Sequence, residues 1–98
     1  MGQSIESANF LIESRLRDAA KGNMDAYYEL GVVYSTGTEG AEVDLIEAHK
    51  WFNLAAVGGH DAAQRCRADI SDEMTAREIA EAQRRAREWL LEGARKIA

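Results

Sequence analysis

The sequence has no proline, one cysteine and few large apolar side chains. Leu, Ile, Val and Phe together make up 19 of the 98 residues, whereas alanine alone makes up 17. Alanine is the best helix former and proline the worst. The composition therefore predicts an all-α chain with a thin core of closely approaching helices. It disfavours a β-sandwich or barrel. A chain of only 98 residues is also too small for us to expect a deep catalytic pocket.

Long hydrophobic runs are also missing. No uncharged stretch approaches the roughly 20 residues that a membrane-spanning helix needs, and no basic stretch followed by an apolar run opens the chain. Because Cys66 is the only cysteine, an intramolecular disulfide is impossible and nothing demands an oxidising compartment. We expect a cytoplasmic protein without a membrane partner.

Charge of one sign dominates only part of the chain. Residues 1–59 carry nine acids and four bases, whereas residues 60–98 carry eight of each. General binding to a nucleic-acid backbone needs a concentrated positive surface, so we expect no nucleic-acid partner. Arg84, Arg85 and Arg87 do cluster, but the acids Glu81 and Glu88 interleave with them. This pattern is typical of a solvated, salt-bridged helix face.

Hydrophobic periodicity and capping signals predict five helices, over about residues 4–21, 24–36, 45–57, 61–70 and 75–95. Two starts have the spacing of a capping box, in which two side chains each bind the other residue's free backbone N–H. These starts are Asp44 with Glu47 and Thr75 with Glu78. His60 or Asp61 caps the fourth helix.

Gly31 lies inside the second predicted helix, where glycine costs about 1 kcal/mol relative to alanine. The simplest reason for accepting that cost is another helix that crosses Gly31 at close range.

An internal repeat accompanies these helices. Residues 18–26 recur as 55–63 at an offset of 37, while an offset of 36 gives a different set of matches further along. The sequence leaves the register open, but either period falls in the range of helix-turn-helix repeats such as the tetratricopeptide class. The pairs are Gly22/Gly59, Asn23/His60 and Ala26/Ala63 at 37, and Leu30/Cys66 and Tyr34/Ile70 at 36.

The central stretch carries a longer pattern of small residues and aromatics at fixed spacing. Its first half is Ala26-x3-Leu30-Gly31-x2-Tyr34-x2-Gly37, and its second half is Asp44-x3-Ala48-x2-Trp51-Phe52-x2-Ala55-Ala56-x2-Gly59-His60-x2-Ala63.

This pattern strongly resembles a Sel1-like repeat. The resemblance implies a single domain over residues 1–98, an α/α solenoid of about five antiparallel helices. In that arrangement residues 1–22 form the outer helix of a partial repeat and 23–59 a full repeat. Residues 60–98 form a degenerate terminal repeat with a long, charged capping helix, as the end of a solenoid must face water on one side.

Sel1-like and tetratricopeptide-like domains are usually adaptors, so the resemblance implies a non-enzymatic module that binds a protein or peptide on a concave face. We expect no catalytic residue and no cofactor. Tyr28 also suits a packing role. The residues placed toward the concave face are Asp25, Tyr28, Val32 and Ser35 from the second helix and Arg65 and Asp69 from the fourth.

Two other functions stay open. A small hydrolase-like enzyme would need a deep pocket that joins a His or Cys to an acid. A self-associating subunit would complete its solenoid with a second copy, because Phe10, Leu11 and Ile12 have no preceding inner helix to cover them.

Residues with the chemistry for metal binding or nucleophilic catalysis are few. The chain has no C-x2-C and no H-E-x-x-H spacing, so we expect no metal site. We expect His60 to cap a helix, His49 to be a partly exposed helix residue, and Cys66 to be a small core residue.

Overall fold

The computed structural model describes the backbone of residues 5–97 and the side chains of residues 10–96, and all of its regular structure is helical. The prediction of an all-α chain with five helices is confirmed. Consecutive helices pack against one another from the first to the fourth, and the fifth packs mainly on the third. The helices are α1 (Ile5–Ala20), α2 (Met24–Thr36), α3 (Leu45–Val57), α4 (Asp61–Ser71) and α5 (Ala76–Ile97).

The turns before α2 and α4 are built in the same way. Gly22 and Gly59 both have a positive φ, 81° and 96°. Asn23 Oδ1 and His60 Nδ1 each accept a hydrogen bond from the backbone N–H three residues later, both at 3.1 Å. The offset of 37 therefore relates these two turns, and His60 rather than Asp61 is the N-cap of α4.

The two predicted capping boxes differ. At α5 the box is complete, because Thr75 Oγ1 accepts from the Glu78 N–H at 3.1 Å and Glu78 Oε1 accepts from the Thr75 N–H at 2.8 Å. At α3 only half of it forms. Asp44 Oδ1 accepts from the Glu47 N–H at 3.0 Å, but the Glu47 carboxylate pairs with basic groups on α3 and α5 instead.

The core lies around α3, which packs against α2, α4 and α5. Its largest fully buried side chains are Trp51, Phe52 and Leu30. Alanine fills the remaining close contacts, as the composition predicts. The alanines with no exposed surface are Ala19, Ala48, Ala55, Ala63 and Ala82.

Gly31 marks the closest approach of α2 to α3. A Cβ added there would lie 2.5 Å from the Phe52 atoms Cδ1 and Cε1, far inside van der Waals contact. The prediction that a second helix crosses at Gly31 is therefore confirmed.

His49 is buried, with 2% of its surface exposed, so the expectation of a partly exposed residue is wrong. The expectation assumed that α3 buries one side, whereas α3 is contacted by three other helices. Burial lowers the pKa of the His49 imidazole from its ordinary value, and the positive charge of Arg67 lowers it further. Its Nδ1 has no hydrogen-bond partner among the described residues.

None of the helices within residues 5–97 combines the length and the apolar character that crossing a membrane requires.

Candidate functional site

The surface predicted from the repeat pattern, the α2–α4 face, consists of Asp25, Tyr28, Val32 and Ser35 of α2 together with Arg65 and Asp69 of α4. The structure brings its first two members together at His60. The Asp25 Oδ1 atom lies 3.7 Å from His60 Nε2, and the Tyr28 ring stacks on the imidazole with 4.5 Å between ring centroids. Asp25 is largely exposed.

The middle of the α2–α4 face takes part in packing. Tyr28 is half-buried and its ring also meets Phe52, with 5.8 Å between centroids. Val32 packs against the core, and the Ser35 hydroxyl donates to the Val32 carbonyl oxygen at 3.2 Å. These three side chains therefore offer a partner less surface than the repeat pattern implies.

Arg65 and Asp69 are exposed on α4. Among the described residues, no hydrogen bond or ion pair links them to the α2 members of the face. The α2–α4 face is thus a mostly polar surface with exposed charges at its edges.

A second surface, the α1–α5 groove, lies between the C-terminal end of α1 and the last turns of α5. It is a cleft of about 380 Å³ that opens to solvent. Its apolar lining consists of Ala20, Tyr27, Trp89, Leu90, Gly93 and Ala94.

Aromatic contacts fix one wall of the α1–α5 groove. Trp89 meets Trp51 edge-on with 4.8 Å between ring centroids, and Trp51 stacks on Tyr27 at 5.9 Å. Trp89 Nε1 donates to the Tyr27 hydroxyl oxygen at 3.4 Å. Because Trp51 is buried at the centre of the fold, its contacts with Trp89 restrict the position of the Trp89 ring.

Small residues keep the groove open. A Cβ added to Gly93 on α5, or to Gly22 in the turn after α1, would meet no atom within 4 Å. Leu90 lines the groove and is 53% exposed, so the fold leaves much of this side chain in water. An apolar surface that the described residues leave uncovered is available to another molecule.

A smaller cleft of about 190 Å³ also has Trp89 in its lining, together with Lys50 and Arg85. Lys50 Nζ sits there 4.2 Å from the Trp51 ring centroid and 5.3 Å from that of Trp89, and it pairs with Glu47 at 3.1 Å. Arg85 pairs with the same glutamate at 3.0 Å. Glu47 of α3 therefore forms ion pairs both within α3, with Lys50, and with Arg85 of α5.

The exposed face of α5 is salt-bridged, as the charge pattern predicts. Arg84 binds both Glu81 and Glu88, and Arg85 also binds Glu81. Hydrogen bonds from Arg84, and to a smaller extent from Arg85, lower the pKa of the Glu81 carboxyl to about 2. Two of the three arginines of the basic cluster, Arg84 and Arg85, are therefore paired with acids of the same helix.

Residues with metal-binding or nucleophilic chemistry are scattered. In the part of the chain that the structure describes, no group of three or more His, Cys, Asp and Glu side chains is placed to hold a metal ion. His49 is buried in the core, His60 caps α4, and Cys66 is half-buried against the core.

Comparison of the chain with protein-family models, with curated proteins and with solved structures found no match. The resemblance to a Sel1-like repeat therefore stays a prediction.

Sequence reasoning missed the α1–α5 groove. On the last helix Trp89 is half-buried, whereas its neighbour Leu90 is exposed. Helical periodicity identifies an apolar side but not where the partner helix ends. The available signal was Gly93, a helical glycine that follows Leu90 and Leu91 within one turn and permits an open apolar surface.

Proposed function

We propose that this chain is a protein-interaction module that holds a large apolar side chain of a partner protein in the α1–α5 groove. The observation that carries the proposal is the groove itself, a cleft of about 380 Å³ with a fixed aromatic wall and an exposed leucine. Clefts that bind ligands begin at roughly 300 Å³, and protein interfaces often depend on one apolar anchor in such a pocket.

The energetics suit an anchor of this kind. Transferring a Leu, Phe or Met side chain from water into an apolar site stabilises a complex by about 1.5–3 kcal/mol. Because the Trp89 ring is already held by Trp51 and Tyr27, little side-chain freedom is lost when the anchor binds. The Sel1-like resemblance supports the same class of adaptor, and the composition supports a cytoplasmic setting.

The proposal is tested with peptides selected from a phage-displayed random library on the full chain. Binding of the selected peptides is then titrated by fluorescence anisotropy against Leu90→Asp and Leu91→Asp. Leu91 is a matched control, because it is 57% exposed but lies outside the groove. We expect enrichment of large apolar residues and a loss of about tenfold or more in affinity with Leu90→Asp, because an anchor would then meet a charge. Leu91→Asp should retain binding.

Equal binding by both leucine variants would contradict the proposal. The α2–α4 face offers the competing location. Asp25→Ala and Asp69→Ala remove exposed charges from that face without touching the core. If they weaken binding while Leu90→Asp does not, the binding site lies on the α2–α4 face.

A second copy of the chain is the other possible occupant, because exposed Phe10, Leu90 and Leu91 supply apolar surface for self-association. Sedimentation velocity over a range of protein concentrations distinguishes the two. We expect a monomer whose sedimentation does not change in Leu90→Asp. A dimer that Leu90→Asp dissociates would assign the groove to a second copy and would contradict binding of a separate partner there.

A further inference from the structure

The charges around the α1–α5 groove are biased toward positive, although the chain carries a net −5. Lys21 and Lys96 lie in the lining together with one acid, Glu92. Glu92 pairs with Arg95 at 3.0 Å, so its charge is compensated within α5. Within the described residues, neither lysine forms an ion pair with a carboxylate.

The groove also contains a hydrogen-bond donor. Tyr27 is 8% exposed, and its hydroxyl oxygen accepts from Trp89 Nε1. A phenol has one proton to donate as well as lone pairs that accept. The Tyr27 oxygen already accepts a hydrogen bond from Trp89, so the Tyr27 O–H remains free to donate its own proton. Among the described residues, no hydrogen bond provides an acceptor for that proton.

The geometry points to an acidic partner: the α1–α5 groove takes a protein segment in which an Asp or Glu side chain adjoins the apolar anchor. The anchor lies against Trp89, and the carboxylate accepts from the ammonium of Lys21 or Lys96 and from the Tyr27 hydroxyl. This inference rests on the proposed function of the groove and names the partner that suits it.

A carboxylate suits this set of donors better than an amide or a hydroxyl. Hydrogen bonds to an ionised acceptor are about twice as strong as neutral ones, and both ammonium and phenol only have protons to offer here. The overall negative charge repels an acidic partner at long range, and salt screens that repulsion beyond about 8–10 Å. The preference of the groove for an acidic partner therefore comes from direct contact between the partner's carboxylate and Lys21 or Lys96.

The test reverses the charge of the lining. A random peptide library is selected on the unmodified chain, on Lys21→Glu/Lys96→Glu, and on Arg77→Glu/Arg87→Glu. The last variant is a matched control, because it changes the net charge equally at two exposed positions outside the groove. We expect the unmodified chain and the control to enrich acidic residues beside a large apolar one, and the lysine variant to enrich basic residues there.

One acidic peptide selected on the unmodified chain is then measured in solution with an amidated C-terminus, so that all of its carboxylates are side chains. We expect its affinity to fall about tenfold or more with the reversed lysines and to hold in the arginine control. If the double variant does not fold, as judged by circular dichroism, Lys21→Gln should give a smaller loss in the same direction.

Each contrary result has a distinct meaning. Apolar peptides that depend on Leu90 but show no charge preference would overturn the acidic partner and leave the proposed function standing. Binding that requires a free terminal carboxylate would overturn the assignment to an Asp or Glu side chain. No enrichment at all, or peptides indifferent to Leu90→Asp, would overturn the proposed function and this inference with it.

Discussion

Two glycines inside helices have contrasting surroundings: Gly31 lies in a closed centre of the molecule, and Gly93 lies at an open edge. At Gly31 of α2 an added Cβ would collide with the Phe52 ring, whereas at Gly93 of α5 it would meet nothing within 4 Å. Glycine costs about 1 kcal/mol in a helix at either place. At Gly31 the close packing of α2 on α3 offsets this cost. At Gly93 no contact near the Cβ position offsets it.

The side chains around the two glycines follow the same division. Phe52 and Leu30, at the closed centre, are almost completely buried. Leu90 and Leu91, at the open edge, are more than half exposed. Leu90 and Leu91 therefore bury less apolar surface than Phe52 and Leu30 and contribute less to the stability of the fold.

Gly31→Ala should produce the largest effect on stability of the changes that test this comparison. The new methyl group would overlap a buried aromatic ring, and overpacking of this kind costs about 1–3 kcal/mol. The gain in helix propensity, about 1 kcal/mol, offsets part of it. We expect a net loss of up to about 2 kcal/mol in the free energy of unfolding, measured by urea denaturation.

Phe52→Leu supplies the control for this substitution. The smaller side chain makes room beside Gly31, so adding Gly31→Ala in that background should cost less than in the unmodified chain. Equal costs in both backgrounds would show that the closed centre does not depend on the contact between Gly31 and Phe52.

His49 gives the closed centre a dependence on pH. Its pKa is lowered in the folded state because burial disfavours the charged imidazole, while in the unfolded chain it returns to about 6.5. Between those two values the unfolded chain binds more protons, so the free energy of unfolding falls as the pH drops below about 6.5. We expect a slope of at most about 1.4 kcal/mol per pH unit from this one residue, measured by urea denaturation at pH values between about 7 and 5.

His49→Leu should flatten that slope, because it removes the buried group that the unfolded state protonates. His60→Asn also removes one histidine but retains an N-cap of the kind that Asn23 supplies to α2. It should leave the slope in place. A slope that survives His49→Leu would come from other titratable groups, and His49 would then not be the group responsible.

Local signals in the sequence were enough for the parts of the fold that local interactions determine. Asn23 and Asp44 cap α2 and α3 through their own side chains, so the predicted bounds of these helices agree with the structure. The close helix crossing at Gly31 was also predictable, because glycine destabilises a helix interior and close packing is the simplest compensation.

Contacts between helices that are distant in sequence were not predictable. His49 is buried because α3 packs against three helices, and periodicity within α3 does not show how many neighbours it has. The predicted α2–α4 face exists as a polar surface, yet Tyr28 and Val32 are partly used in packing. The α1–α5 groove depends on where α5 passes the end of α1, which only the tertiary structure fixes.

Gly93→Ala tests the open edge with the smallest expected effect and the opposite sign. With free space at the Cβ position and an ordinary helical backbone, alanine should stabilise the chain by about 0.5–1 kcal/mol through helix propensity and a less flexible unfolded state. Thermal unfolding followed by circular dichroism measures it, with Gly31→Ala as the contrasting variant. A destabilised Gly93→Ala would mean that the groove is closed in solution, and the division into a closed centre and an open edge would fail. A stabilised variant that binds the selected peptides less tightly would show that Gly93 trades stability for room in the groove, because the same methyl group that favours the helix occupies space needed by the anchor.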